Sequence, residues 1–171
     1  MKAQSFSSFI VKLFVLATVS VILLGCGNDN ECQGGQIHPL RLGFYQTRPG
    51  TNRLQAMQID SIAVVGIGQI GSPIYNEWTR RLRTLELPLR PLADSTGFVL
   101  RFGINHTDTL WVIHRHQLHL VSPECGFTVF NTVTHIRHTN RRISGFTLSQ
   151  PFVANTLEEH LILIISTPTG N

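Results

Sequence analysis

Phe98-Val99-Leu100-Arg101-Phe102 is followed by Asn105-His106-Thr107-Asp108 and then by a long run from Leu110 to Val121 in which apolar and polar residues mostly alternate. Two β-branched and aromatic segments around a cluster of turn formers predict a β-hairpin. Working outward, Phe127 to Val133, Ile143 to Leu148 and His160 to Ile165 have the same composition. On the amino-terminal side, Leu40-Arg41-Leu42-Gly43-Phe44-Tyr45 alternates and ends at the turn-like Arg48-Pro49-Gly50-Thr51-Asn52, while Met57, Ile59 and Ile62-Ala63-Val64-Val65 suggest a further strand. About seven strands punctuated by turn formers predict an all-β chain, a single antiparallel β-sandwich of immunoglobulin-like type.

One stretch departs from this pattern. In Tyr75 to Leu85, Trp78, Leu82 and Leu85 fall at i, i+4 and i+7 as in a helix, yet Leu85, Leu87 and Leu89 alternate as in a strand. We expect a loop-rich insertion at residues 66–81, with strand resuming near Leu82.

The first residues carry an address. Leu13 to Leu24 is apolar or small throughout, preceded by Lys2 and Lys12 and closed by Leu23-Leu24-Gly25-Cys26. Twelve residues rise only about 18 Å as a helix, against roughly 30 Å of bilayer hydrocarbon. The run therefore reads as a signal h-region, and the tetrad as a lipobox whose Cys26 is acylated and becomes the mature amino terminus. The expected organisation is a signal peptide at 1–25, a lipidated tether at 26–38 and a β-sandwich domain at 39–171. Cys26 would carry palmitate. Gly27 is not the aspartate that retains enterobacterial lipoproteins in the inner membrane, and Asp29 and Glu31 weakly resemble an acidic surface-export signal, so an outer-membrane location is expected, on either face.

Removing residues 1–25 leaves 146, enough for one core, and takes both lysines, lowering the formal charge from +4 to +2. A mature chain with twelve arginines and no lysine has no Schiff-base or P-loop lysine. Arg80, Arg81 and Arg83 form the densest basic group without interleaved aromatics, which argues against nucleic acid. With Cys26 assigned to lipid, Cys32 and Cys125 are candidates for one disulfide in an oxidising compartment. The bridge would be worth on the order of 4 kcal/mol in the chain-entropy model. A two-cysteine metal site is the rival, but the spacing supplies no further ligands.

Gly66-Ile67-Gly68-Gln69-Ile70-Gly71 is a G-x-G-x-x-G after an apolar strand, with Glu86 twenty residues past Gly66. In a dinucleotide fold these glycines would admit a pyrophosphate and the acid would take the ribose. Too little chain separates them from the next strand for a crossover helix, so a glycine-rich connection is the expected reading. His114 and His116 share a strand face and could supply two imidazoles to zinc or copper; His119 points to the other face. Leu110, Val112, Leu118 and Leu120 share the face of His114 and His116, so these histidines should border or enter the core. No metal site is expected, and no cofactor.

No G-x-S-x-G occurs and no acid pair is singled out by spacing. Trp78, Trp111, Tyr45 and Tyr75 could form a sugar-stacking platform, although half-buried strand aromatics are commoner. Asp60-Ser61-Ile62, Asp94-Ser95-Thr96 and Asp108-Thr109-Leu110 resemble an O-glycosylation signature, and are also ordinary turn chemistry.

Leu40-Arg41-Leu42-Gly43-Phe44-Tyr45, Leu87-Pro88-Leu89-Arg90-Pro91-Leu92-Ala93-Asp94-Ser95 and Val121-Ser122-Pro123-Glu124-Cys125-Gly126-Phe127 together resemble an uncharacterised family of small lipoproteins from Bacteroidetes-type bacteria, a domain of unknown function. The resemblance implies that Cys32 and Cys125 belong together; it implies no activity. The expected function is a lipid-anchored, non-enzymatic structural or binding module of the outer membrane, its partners being the membrane and an envelope protein or glycan. The enzymatic alternatives are a metal-assisted hydrolase using His114 and His116 and a dinucleotide-dependent oxidoreductase using Gly66, Gly68 and Gly71.

Overall fold

The computed structural model describes residues 38–69, 73–76, 79–123, 125–154 and 156–166. Contacts divide the chain into Met1–Cys32 and Gln33–Asn171, and the described residues all belong to the second unit. They form ten strands: β1 (Leu40–Thr47), β2 (Leu54–Ala56), β3 (Ile62–Gly66), β4 (Thr84–Leu87), β5 (Ser95–Phe102), β6 (His106–Ser122), β7 (Gly126–His138), β8 (Ile143–Leu148), β9 (Phe152–Val153) and β10 (Leu161–Ile165). No helix occurs among the described residues.

The strands make two five-stranded sheets. One runs β3-β5-β6-β7-β9, antiparallel throughout; the other runs β2-β1-β10-β8, with β4 also pairing β1. β4 takes the first half of the β1 edge, Leu40↔Leu87 to Gly43↔Thr84, and β2 the second, Tyr45↔Ala56 to Thr47↔Leu54. The expectation of an antiparallel sandwich is corrected at one point: β1 and β10 pair in parallel, Leu42↔Leu161 to Tyr45↔Ile164. Ten strands replace about seven: β2 and β9 have three and two residues, too few for a period-two signal, and β4 is the strand expected to resume near Leu82.

Alternation explains the packing. Leu40, Leu42 and Phe44 of β1, Leu85 and Leu87 of β4, and Leu161, Leu163 and Ile165 of β10 bury one phase of their sheet. Ile62 and Val64 of β3, Phe98, Leu100 and Phe102 of β5, and Leu110 and Val112 of β6 do the same for the other. All belong to one apolar cluster, an arrangement compatible with a sandwich, in which Phe44 and Phe102 meet edge to face at 6.3 Å.

The expected hairpin is β5–β6, in register from Phe102↔His106 to Ser95↔Ile113, with Gly103 at φ +60 in its turn. The helical spacing over 75–85 does not produce a helix in its described part: Tyr75 bridges Val64, Leu82 bridges Ile59, and Leu85 is buried in β4. Trp78, which completed that spacing, lies outside the described residues. The connection between β3 and β4 is irregular where described, as expected.

Candidate functional site

Along β6 the even-numbered residues point inward, and their burial changes in three steps. Asp108, Leu110, Val112 and His114 are buried, His116 is half-buried, and Leu118 and Leu120 are 61% and 51% exposed. Antiparallel pairing puts His116 opposite Asn131, Leu118 opposite Val129 and Leu120 opposite Phe127. The core phase of the β6–β7 hairpin is thus apolar core, then a polar layer, then an apolar overhang open to solvent.

The polar layer is built by β5, β6 and β7. Thr96 Oγ1 accepts the Arg90 backbone N–H at 2.9 Å and lies 2.9 Å from His114 Nε2. The hydroxyl keeps a second lone pair and its own proton, so it pairs with Nε2 in either direction according to the imidazole tautomer. His114 Nδ1, His116 Nδ1 and Asn131 Oδ1 are buried without a hydrogen-bond partner. Burial lowers the His114 pKa; Asn131 opposes this, the neighbouring His116 reinforces it, and Asp94 opposes it. His114 is therefore a neutral imidazole.

Both sides of the hairpin bear on this layer. Beyond it, on the phase away from the core, Gln117 and His119 of β6 stay exposed but Thr128 and Phe130 of β7 are covered: His38 stacks on Phe130 at 4.9 Å and shares a hydrogen bond with Thr128 Oγ1 at 3.2 Å, while Phe152 and His119 tilt onto Phe130 at 5.5 and 5.7 Å. Burial lowers the His38 pKa. His38, at the expected end of the tether, is already part of the packed body.

At the opposite end of β6, Asp108 is fully buried on the core phase. Its Oδ1 accepts Thr139 Oγ1–H at 2.6 Å and the Arg141 N–H at 2.9 Å; its Oδ2 accepts the Arg142 and Ile143 N–H groups at 2.6 and 3.0 Å. Burial alone would raise its pKa, but these four bonds outweigh it and hold the carboxyl below the usual range. Thr139 Oγ1 also accepts the Thr109 N–H at 2.9 Å. Asp108 thereby fixes the β7–β8 turn, a role that sequence reasoning missed. The available signal was an acid in phase with Leu110 and Val112.

The other sequence-singled residues separate. His114 and His116 share the inward phase as expected, and His119 takes the other. His114 enters the core and His116 borders it, as expected; Leu118 and Leu120 share their phase but stay exposed, since the facing sheet does not cover them. Among the described residues no group of three His, Cys, Asp or Glu is placed to hold a metal. Gly66 lies in β3, which pairs antiparallel with β5; Gly68 turns the chain at φ +75; and Glu86 sits in β4 of the other sheet, ion-paired with Arg41. That geometry is a strand connection and not a βαβ crossover. Gly71, Cys26 and Cys32 lie outside the described residues. Cys125 is in the β6–β7 turn, its N–H donating to Ser122 Oγ at 3.0 Å.

Tyr45 and Trp111 lie on different sheets, each on the phase away from the core, so they make no common platform. Tyr45 donates to Glu159 at 2.9 Å, and Trp111 packs over Gly97, where a Cβ would come within 2.9 Å of the indole. His160 Nδ1 accepts the Arg41 backbone N–H at 3.0 Å and the His160 backbone N–H donates to Arg41 O at 2.8 Å, so this histidine ties the entry to β10 onto β1. A cleft of about 600 Å³ at the β5–β6 turn is lined by Arg80 and Arg101 together with Ser61 and Thr107.

The model of a family of unknown function, DUF6452, matches residues 55–165. The chain belongs to this family. No curated protein and no solved structure matches it. The family match runs from within β2 to the end of β10, so the Asp108 turn, the polar layer and the exposed overhang all lie inside it. Cys125 falls within the DUF6452 match, and Cys26, Cys32 and β1 fall before it.

Proposed function

We propose that this DUF6452 chain is a lipid-anchored envelope protein whose domain serves as a non-enzymatic binding or structural module at the outer membrane. One observation carries the reading: Leu23-Leu24-Gly25-Cys26 closes an apolar run too short to span a bilayer. The chemistry of the domain supports it. Asp108 is engaged by the β7–β8 turn, Glu86 by Arg41, Glu159 by Tyr45 and the Nε2 of His114 by Thr96. Among the described residues no helix is long and apolar enough to cross a membrane.

We read Cys32 and Cys125 as a disulfide. Support comes from the docking of His38 against Thr128 and Phe130, which starts the preceding chain at the Cys125 end of β7. Six residues from His38 back to Cys32 reach at most about 20 Å. The two sheets are read as an immunoglobulin-like sandwich, which an experimental structure tests directly. The lipoprotein character and a Bacteroidetes-type origin belong to the same proposal.

Palmitate labelling in a bacterium that acylates lipoproteins tests the anchor. Label and membrane fractionation are expected for the native chain and lost in Cys26→Ala; labelling that survives this substitution overturns the assignment. A second reading, a metal on His114 and His116 serving a hydrolase, draws on their unpartnered Nδ1 atoms. Stoichiometric zinc or copper abolished by His114→Ala with His116→Ala would favour it over the first.

A further inference from the structure

The overhang of the β6–β7 hairpin exposes an apolar group that its own fold leaves open. Leu118 is 61% exposed, Leu120 51%, Val121 44% and Phe127 58%. Leu118, Leu120 and Phe127 occupy the phase that is core along the rest of the hairpin, and Val121 is the extra residue where the register shifts before the turn. From His116 to Ile136 the only formally charged residue in the sequence is Glu124. A clustered apolar surface of this kind marks a contact with another apolar phase.

The tether identifies that phase. Where the described chain begins, His38 is fastened to Thr128 and Phe130 on the opposite side of the same overhang. Cys26 lies twelve residues before His38, so acyl chains on it hold this end of the hairpin within about 43 Å of the bilayer even with the tether fully extended. A Cys32 bridge to Cys125 would shorten the free part to six residues and about 20 Å. Tethering at this distance raises the effective concentration of lipid at the overhang, so modest intrinsic membrane affinity suffices.

We propose that the overhanging end of the β6–β7 hairpin rests in the headgroup region of the anchoring bilayer, with Leu118, Leu120, Val121 and Phe127 as its contact residues. The inference rests on the lipid-anchor reading and deepens it: the anchor supplies proximity, and these four side chains fix the orientation of the domain. The β5–β6 turn, with Ile104 fully exposed, lies at the other end of β6 and points away from the membrane.

The test uses the full acylated chain with p-benzoylphenylalanine placed at Phe127, Leu120 or, as control, Ile104. Each protein is purified and reconstituted into vesicles of phosphatidylethanolamine and phosphatidylglycerol, then irradiated. Expected are lipid adducts at 127 and 120, several-fold above those at 104, in protein that carries palmitate and floats with the vesicles. If palmitate and flotation are present but the adducts at 127 and 120 are to protein, whether this chain or a second copy, or lipid adducts do not exceed the control, docking is overturned and the anchor stands. If neither palmitate nor flotation is found, both are overturned. Circular dichroism matching the native chain identifies correctly folded variants, and the two independent hairpin positions guard against one substitution failing.

Discussion

Replacing Asp108 by Asn exchanges one carboxylate oxygen for an NH₂ group and should cost the domain a large part of its stability. Each carboxylate oxygen accepts two donors, Thr139 Oγ1–H and the Arg141 N–H on Oδ1, the Arg142 and Ile143 N–H groups on Oδ2. In Asp108→Asn the amide oxygen can keep two of these, while the NH₂ confronts the other two as a fellow donor. Two buried donors then lose their acceptor, each worth ~1–3 kcal/mol, so a loss of about 4 kcal/mol is expected. Against typical domain stabilities of ~5–15 kcal/mol that is a large fraction. Urea unfolding of the mature chain at neutral pH, followed by circular dichroism, measures it. Asp60→Asn, at an exposed position, supplies the baseline. The sign with pH is fixed by the lowered pKa: the contribution is complete above the ordinary carboxylate range, near pH 4, and is lost as pH falls from there through the lower folded value. Asp108→Asn should abolish that part of the acid limb. A loss below ~1 kcal/mol, or one no greater than at position 60, would refute the clamp.

Gly97→Ala would place a Cβ 2.9 Å from the Trp111 ring and from Ile67 Cδ1. It should destabilise the chain by ~1–3 kcal/mol and shift indole emission; an unchanged melt and spectrum would count against this packing. Burial lowers the pKa of both His114 and His160, so their contribution is full above about pH 6.5 and declines as pH falls through the lower folded values. Melting temperature should therefore fall on acidification below about pH 6.5, with a shallower fall in His114→Gln; identical profiles would exclude a part for His114. Cys32→Ser and Cys125→Ser should each lose on the order of 4 kcal/mol and lose equally, because either removes the same proposed bridge. Unequal losses, or mass spectrometry of envelope protein finding both residues as thiols, would remove the pairing.

The sequence made some elements legible and hid others for physical reasons. The β5–β6 hairpin was readable because two alternating runs flank a local turn, and the common phase of His114 and His116 followed from period two alone. The parallel pairing of β1 with β10 was not readable: it joins Leu42 to Leu161, and neither strand contains a mark of its partner. The polar layer was half visible. Its histidines lie on one strand, but Thr96 and Asn131 come from two others, and nothing local distinguishes them from ordinary strand residues. Asp108 resembled a turn residue because Asn105 to Thr107 precede it; its four donors are contributed by residues 139–143, more than thirty positions away.

β6 contains two inversions of the usual burial rule on one face. At its beginning a carboxylate occupies a core position; near its end two leucines occupy the same phase in solvent. The first inversion resolves internally, since four donors replace the water that Asp108 loses. The second has no internal resolution: the facing sheet does not reach Leu118 and Leu120, and His38 and Phe152 cover Phe130 on the opposite side. An apolar phase outside the domain would resolve it, and the proposed anchor holds a bilayer within reach of that end. The polar layer of His114, His116 and Asn131 then lies at the boundary between the part of the hairpin that belongs to the core and the part that belongs to the membrane. Its position predicts that substitutions at Leu110 or Val112 act on folding, whereas substitutions at Leu118 or Leu120 leave folding intact and change how the domain sits on lipid.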